Sequence, residues 1–139
     1  MSNDALYHRC ILRCISANSE LEENTRTADR RIRKLEQEYT ERGYLVLINK
    51  NFNAGVDLIV ILRKTGTVKK VIEATNYKAK WEYISDEKLG RYINSLKFFD
   101  QLPNVEKELV VSFEDNLTDD QIKRLGQNKI NVKIVGRQD

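Results

Sequence analysis

Residues 55–80 read GVDLIVILRKTGTVKKVIEATNYKAK. The pattern is that of two β-strands joined by a tight turn, with one acid on each strand. Asp57 opens the first strand and is followed by the apolar run Leu58 to Leu62, while Lys64-Thr65-Gly66-Thr67 carries the turn signal. The second run, Val68 to Thr75, places Glu73 just beyond Val71-Ile72. Fifteen residues lie between the two acids, about the length of a hairpin that folds one strand back on its neighbour. A carboxylate at the mouth of one strand then lies near a carboxylate close to the end of the other. Lys78 and Lys80 follow at once. Two acids and a lysine in one cleft can hold a divalent metal and organise attack on a phosphodiester.

Working outward, Leu45-Val46-Leu47-Ile48-Asn49-Lys50 reads as the strand before the hairpin, and Gly55 gives the backbone freedom just ahead of Asp57. Upstream, Ala28, Ile32, Leu35 and Tyr39 step by four, three and four, one buried stripe on a charged helix that ends near Arg42-Gly43. Ser19 and Glu22 form a capping box for that helix, and residues 4–17 have the spacing of a further short helix. Downstream, Ser85 or Asp86 caps a helix with Leu89, Tyr92, Ile93, Leu96 and Phe99 on its apolar side. Pro103 marks the break after it. Residues 108–113, ELVVSF, have the continuous apolar centre of a buried strand. Thr118 and Gln121 start a last short helix with Ile122 and Leu125 inward and Gly126 as its stop, and residues 131–135 close with a strand.

The order α, α, β, β, β, α, β, α, β predicts one α/β domain over residues 1–139, with a helical extension in 1–18 and the core in 19–139. Its sheet is mixed: an antiparallel hairpin continued by parallel strands, with helices on both faces.

Composition narrows the function. Hydrophobic residues at 40% and charged residues at 32% suit a globular chain and exclude wholesale disorder. No apolar run reaches the length of a membrane span, and MSNDALYHRCILRC lacks a signal-peptide core, so a cytoplasmic location is expected, that of the host if the chain is viral. Cys10 and Cys14 stand four apart and read as two buried thiols. The sole His8 lies outside the core, which argues against a histidine triad, and no glycine-rich phosphate loop is present. A net charge of +3 permits a nucleic-acid partner. Arg30-Arg31-Arg33-Lys34 is either a solvated face or a phosphate track. Asn76 to Trp81 mixes bases with aromatics, a segment able to clamp a DNA backbone while a ring lies against sugar or base, or simply to pack between strand and helix. Lys88 and Arg91, one turn apart, extend that surface. Contacts of this kind position a protein without reading base sequence.

The phrase IEATNYK at residues 72–78, behind Asp57 and ahead of an aromatic-rich helix, resembles the PD-(D/E)XK nuclease superfamily over roughly residues 28–113. The likeness is nearest to small archaeal-virus nucleases and Holliday-junction resolvase-like proteins. It implies a restriction-endonuclease-like αβββαβ core and a Mg²⁺- or Mn²⁺-dependent DNA endonuclease that works as a homodimer. By the same resemblance Asp57, Glu73 and the backbone carbonyl of Ala74 hold the metal and Lys78 assists attack. A further acid from the preceding helix is supplied by Glu36, or by Asp29 seven residues earlier. DNA contacts fall to Lys78, Lys80, Lys88, Arg91 and Arg30. Two positions depart from the family pattern: Val56 stands where Pro is usual, and Thr75 where the family places its Lys. The second departure sustains the alternative of an inactive nuclease fold that holds DNA or regulates a partner.

Overall fold

The computed structural model describes residues 26–49, 55–75, 77 and 81–136. Helix α1, Arg26–Glu41, leads into strands β1 (Leu45–Ile48), β2 (Leu58–Ile61) and β3 (Val68–Ala74). Helix α2 (Asp86–Lys97), strand β4 (Glu106–Val111), helix α3 (Asp119–Gln127) and strand β5 (Ile130–Ile134) complete the order. The five strands lie in one sheet in sequence order. β1–β2 and β2–β3 are antiparallel, whereas β3–β4 and β4–β5 are parallel. The mixed sheet expected from the sequence is therefore present. The expected N-terminal helix, the Ser19 cap, Cys10 and Cys14 lie outside the described residues.

Alternation along the strands divides the core in two. Leu58, Val60, Ile72, Ala74 and Val110 face α1 and bury Ile32, Leu35 and Tyr39 of its stripe. Ile59, Ile61, Val71, Leu109 and Val111 face the other way and meet Leu89, Ile93 and Leu96 of α2 and Leu125 of α3. Successive crossovers β3–α2–β4 and β4–α3–β5 step in one direction across the sheet. Right-handed connections then place both helices on the same face, and α1 is left to cover the other.

The local signals explain most boundaries. Tyr44 N–H returns to Tyr39 O and Gly43, at φ +91°, ends α1. Ser85 Oγ accepts from Lys88 N–H at 3.1 Å to start α2. Thr118 and Gln121 bond reciprocally to start α3.

Three expectations are corrected. Strand β4 begins two residues earlier than its apolar run, because its polar start is paired: Lys70 meets Glu106 at 3.8 Å and Glu108 at 3.1 Å, and Lys107 meets Asp100 at 2.7 Å. It also ends earlier, because Asn116 Oδ1 accepts the Phe113 N–H at 2.8 Å and turns the chain away. Helix α3 runs past Gly126 to Gln127, since Asn128 Nδ2 caps the carbonyl of Arg124 at 2.8 Å and Lys129 takes the left-handed step at φ +57°. Ile122 is 42% exposed. The inward residue beside Leu125 is Gln121, whose amide donates to Ile84 O at 2.6 Å and Asp86 Oδ1 at 3.0 Å.

Helix α2 holds the sheet through Leu89, which is fully buried. Leu89→Ala is expected to cost about 2–5 kcal/mol in urea unfolding, and Ile122→Ala to stay within about 0.5 kcal/mol. Equal losses at the two positions would contradict this account of the two helix faces.

Candidate active site

Asp57 is placed by backbone pairing just before β2. Its N–H donates to Ile72 O at 3.0 Å, and its carbonyl accepts from Asn49 N–H at 2.9 Å. The residue thus joins the hairpin ladder at Ile72, immediately before the Leu58–Ile72 pair. Gly55 allows this return: its φ is +79°, and a Cβ there would meet Asn49 Nδ2 at 2.9 Å. Asp57 Oδ2 accepts the Ala74 N–H at 2.7 Å, so the β3 backbone clamps the carboxylate from β2. The Asp57 and Glu73 side chains are hydrogen-bonded to each other. Both residues are buried.

Two buried carboxyl groups in contact resist double ionisation. Burial pushes the Asp57 carboxyl up to about 6, while the Ala74 amide, the hydrogen bond with Glu73 and the charge of Lys88 pull it back. Burial, and then the charge and hydrogen bond of Asp57, lift Glu73 well above the usual carboxylate range. Asp57 therefore carries the negative charge and Glu73 the proton. The helix above them contributes Tyr92, whose phenol is held neutral first by burial and then by the neighbourhood of Asp57 and Glu73. The Lys88 ammonium sits 5.2 Å from the Tyr77 ring centroid and 5.9 Å from that of Tyr92.

This arrangement suits a cation. Among the described residues no group of three His, Cys, Asp or Glu side chains could hold a metal. A Mg²⁺ ion, however, needs only one or two protein carboxylates and keeps several waters. Asp57 and Glu73 are two buried carboxylates of that kind. The carbonyl of Ala74 lies on the same strand edge as the N–H that reaches Asp57.

Thr75, two residues beyond Glu73, is occupied elsewhere. Its backbone N–H and its Oγ1 both donate to Val110 O, at 2.9 and 2.8 Å. Lys78 and Lys80, expected to reach the site or bind DNA, lie outside the described residues. Arg30 and Arg91 are exposed. Arg31 departs from the basic face expected of its cluster: it is buried and donates to Ser112 Oγ at 3.3 Å and to Gly136 O. Glu36 is half-buried on α1, the helix that covers the opposite sheet face, and is not among the groups that shift the pair. Asp29 lies in α1, whose side chains are described from residue 30 onward. Tyr77 packs against the core, whereas Trp81 is 76% exposed. Tyr92 entered the sequence reading only as a core residue. Its four-residue spacing from Lys88 was the signal that the two share a helix face.

This sheet and its helices are similar to two solved structures. A repair endonuclease from Pyrococcus abyssi aligns with a TM-score of 0.52 and 14% identity, over 86% of this chain and 50% of that one. EndoMS, in a complex with dsDNA, aligns with a TM-score of 0.54 and 15% identity, over 87% of this chain and 48% of that one. The chain thus spans about half the length of either protein, and at this identity the likeness is one of fold. No protein-family model matches the sequence, and no curated protein does. No helix among the described residues is long and apolar enough to cross a membrane.

The buried pair gives a pH signature in metal-free protein. In the unfolded chain Asp57 titrates near 4, and in the folded chain near 6. The folded state holds the proton more tightly, so this contribution to stability is complete below about pH 4 and is lost as pH rises through about 6. Glu73 extends the loss further upward. Asp57→Asn removes one of the two titrating groups. Relative to wild type it is expected to gain stability between pH 4 and 7, by at most about 1.4 kcal/mol per pH unit for each proton involved. Urea titrations at several pH values in EDTA check this, and parallel curves for the two proteins would count against the shared proton.

Proposed function

We propose that this chain is a metal-dependent DNA endonuclease. The observation that carries the reading is the buried, hydrogen-bonded Asp57–Glu73 pair at the open end of a hairpin, in a fold similar to two repair endonucleases. In this reading Asp57, Glu73 and the Ala74 carbonyl hold Mg²⁺ or Mn²⁺. When bound, such an ion withdraws charge from a phosphoryl oxygen and acidifies water. Asp57, clamped by the Ala74 amide, presents a fixed carboxylate, and Glu73 must release its proton before both acids can ligate. Hydrolysis joins a water oxygen to phosphorus and breaks one phosphorus–sugar oxygen bond; one water proton passes to solvent and the departing oxygen ends protonated.

DNA contacts are assigned to Lys78, Lys80, Lys88, Arg91 and Arg30, with recognition of shape and backbone rather than base sequence. Two copies of the chain acting together are part of this proposal, because paired cuts on two strands need two such sites. A second reading, a fold that holds DNA or regulates a partner without turnover, is favoured by Thr75, which stands bonded to Val110 where the resembled family has its Lys.

Labelled linear, nicked, flapped and four-way DNA incubated with Mg²⁺, Mn²⁺ or EDTA separates the two readings. Metal-dependent cutting is expected from the wild type, with a loss of at least about a hundredfold in Asp57→Asn and Glu73→Gln. Salt-sensitive DNA binding without cutting in either metal establishes the second reading.

A further inference from the structure

Two features stand outside the roles assigned so far. The Lys70, Glu108 and Tyr39 network joins β3, β4 and α1, and a structural role accounts for it: Lys70 Nζ bonds Tyr39 Oη at 3.0 Å and Glu108 Oε2 at 3.1 Å. The other is the segment leading into α2, where burial runs against side-chain chemistry.

Exposure alternates along Trp81-Glu82-Tyr83-Ile84. Ile84 is buried and the acid Glu82 half-buried, whereas Trp81 is 76% and Tyr83 59% exposed. The two rings, two residues apart, share the outward side. So much aromatic surface in water is unfavourable, and the backbone beneath it is nonetheless fixed. Asn116 Nδ2 donates to Glu82 O at 2.9 Å, Asn116 O accepts the Ile84 N–H at 3.0 Å, and Gln121 Nε2 donates to Ile84 O at 2.6 Å. Asn116 and Gln121 are themselves buried. Rings on an anchored backbone lose less entropy on binding than rings on a free loop.

The same bonds bring two acidic stretches together. Residues 81–87 and 113–122 hold seven of the chain's 21 acids and none of its 24 lysines and arginines. No ion pair among the described residues engages any of the seven. Asp86, Glu87, Asp119 and Asp120 lie in the first turns of α2 and α3, where the helix dipole favours acids. Glu82, Glu114 and Asp115 have no such reason. In a chain of net charge +3 the charges are thus segregated, and the exposed rings stand in the negative part. A phosphate backbone is repelled there, whereas Lys and Arg side chains are drawn by the acids and by the ring faces.

We propose that Trp81 and Tyr83, framed by these acids, form a docking surface for a Lys- and Arg-rich segment of a partner protein. The rings take the cationic heads and their alkyl stems, Arg in preference to Lys, and the acids steer the segment in. The surface uses neither Asp57 nor Glu73 and stands whether or not the chain cuts DNA.

Trp81 is the only tryptophan of the chain, so its emission reports on this surface directly. The protein is titrated with labelled peptides of alternating Arg-Gly, Lys-Gly or Glu-Gly and with single-stranded DNA, following anisotropy and Trp81 emission. Arg-Gly is expected to bind best and to shift the emission, and Glu-Gly not to bind. Trp81→Ala and Tyr83→Ala are each expected to weaken Arg-Gly binding at least about threefold, and Asp115→Lys by a similar factor. Glu41→Lys, an exposed acid on α1, is the charge control and is expected to match wild type within about twofold. Melting temperatures of all variants are expected to equal that of wild type, since the substituted side chains are exposed.

Peptide binding that follows charge alone, with Trp81→Ala and Tyr83→Ala unchanged, is ordinary attraction to an acidic protein and overturns the proposal. So does the absence of Arg-Gly binding, or a fall in melting temperature in the ring variants. DNA binding that shifts Trp81 emission and is lost in Tyr83→Ala makes nucleic acid the occupant instead. Self-association in sedimentation that Trp81→Ala abolishes makes the occupant a second copy of this chain. Each of these two results also overturns the proposal.

Discussion

Two carboxyl groups buried within hydrogen-bonding reach of each other cannot both carry charge unless a cation joins them. Much of what surrounds Asp57 and Glu73 follows from that constraint. The β2–β3 hairpin brings the acids together, and the Ala74 amide selects Asp57 as the ionised partner. Glu73, with no comparable backbone donor among the described residues, takes the proton. A fold evolved for stability alone gains nothing from this placement, since an apolar pair at the same positions avoids the desolvation of two acids. The strain is local, and the sheet on either side of it is apolar and well packed.

The surrounding architecture keeps the pair where it is. Helix α1 covers one face of the hairpin through Ile32, Leu35 and Tyr39, and α2 packs on the other. There α2 is anchored by Leu89, Ile93 and Leu96, and Lys88 lies over the rings of Tyr77 and Tyr92. The parallel strands β4 and β5 extend the sheet without adding acids to the site. Their contribution is rigidity, and the Val110 carbonyl that holds Thr75.

The alternating and apolar runs were legible because burial of one face leaves a period of two in strands and of about three and a half in helices. The hairpin, the α1 stripe and both helix caps at Ser85 and Thr118 could be read in this way. Boundaries shifted wherever a polar side chain found a specific partner. β4 starts early through ion pairs at Lys70 and Lys107, and α3 ends late through the amide of Asn128. Gln121 took an inward position that hydrophobicity assigned to Ile122, because its amide meets the Ile84 carbonyl and Asp86. Arg31, counted as one of a basic run, turned inward to Ser112 and Gly136 for the same kind of reason.

By itself, the sequence determined the mixed α/β order and the two acids on one hairpin, because both are encoded in short-range pattern and in the length of the turn. Tertiary structure alone decided that Asp57 and Glu73 are buried together, that Glu36 belongs to the helix on the other face, and that Lys88 lies over the Tyr77 ring. Each of these depends on which element packs over which end of the sheet. Residues 31 positions apart, such as Tyr39 and Lys70, meet only through that packing, and no local period records it.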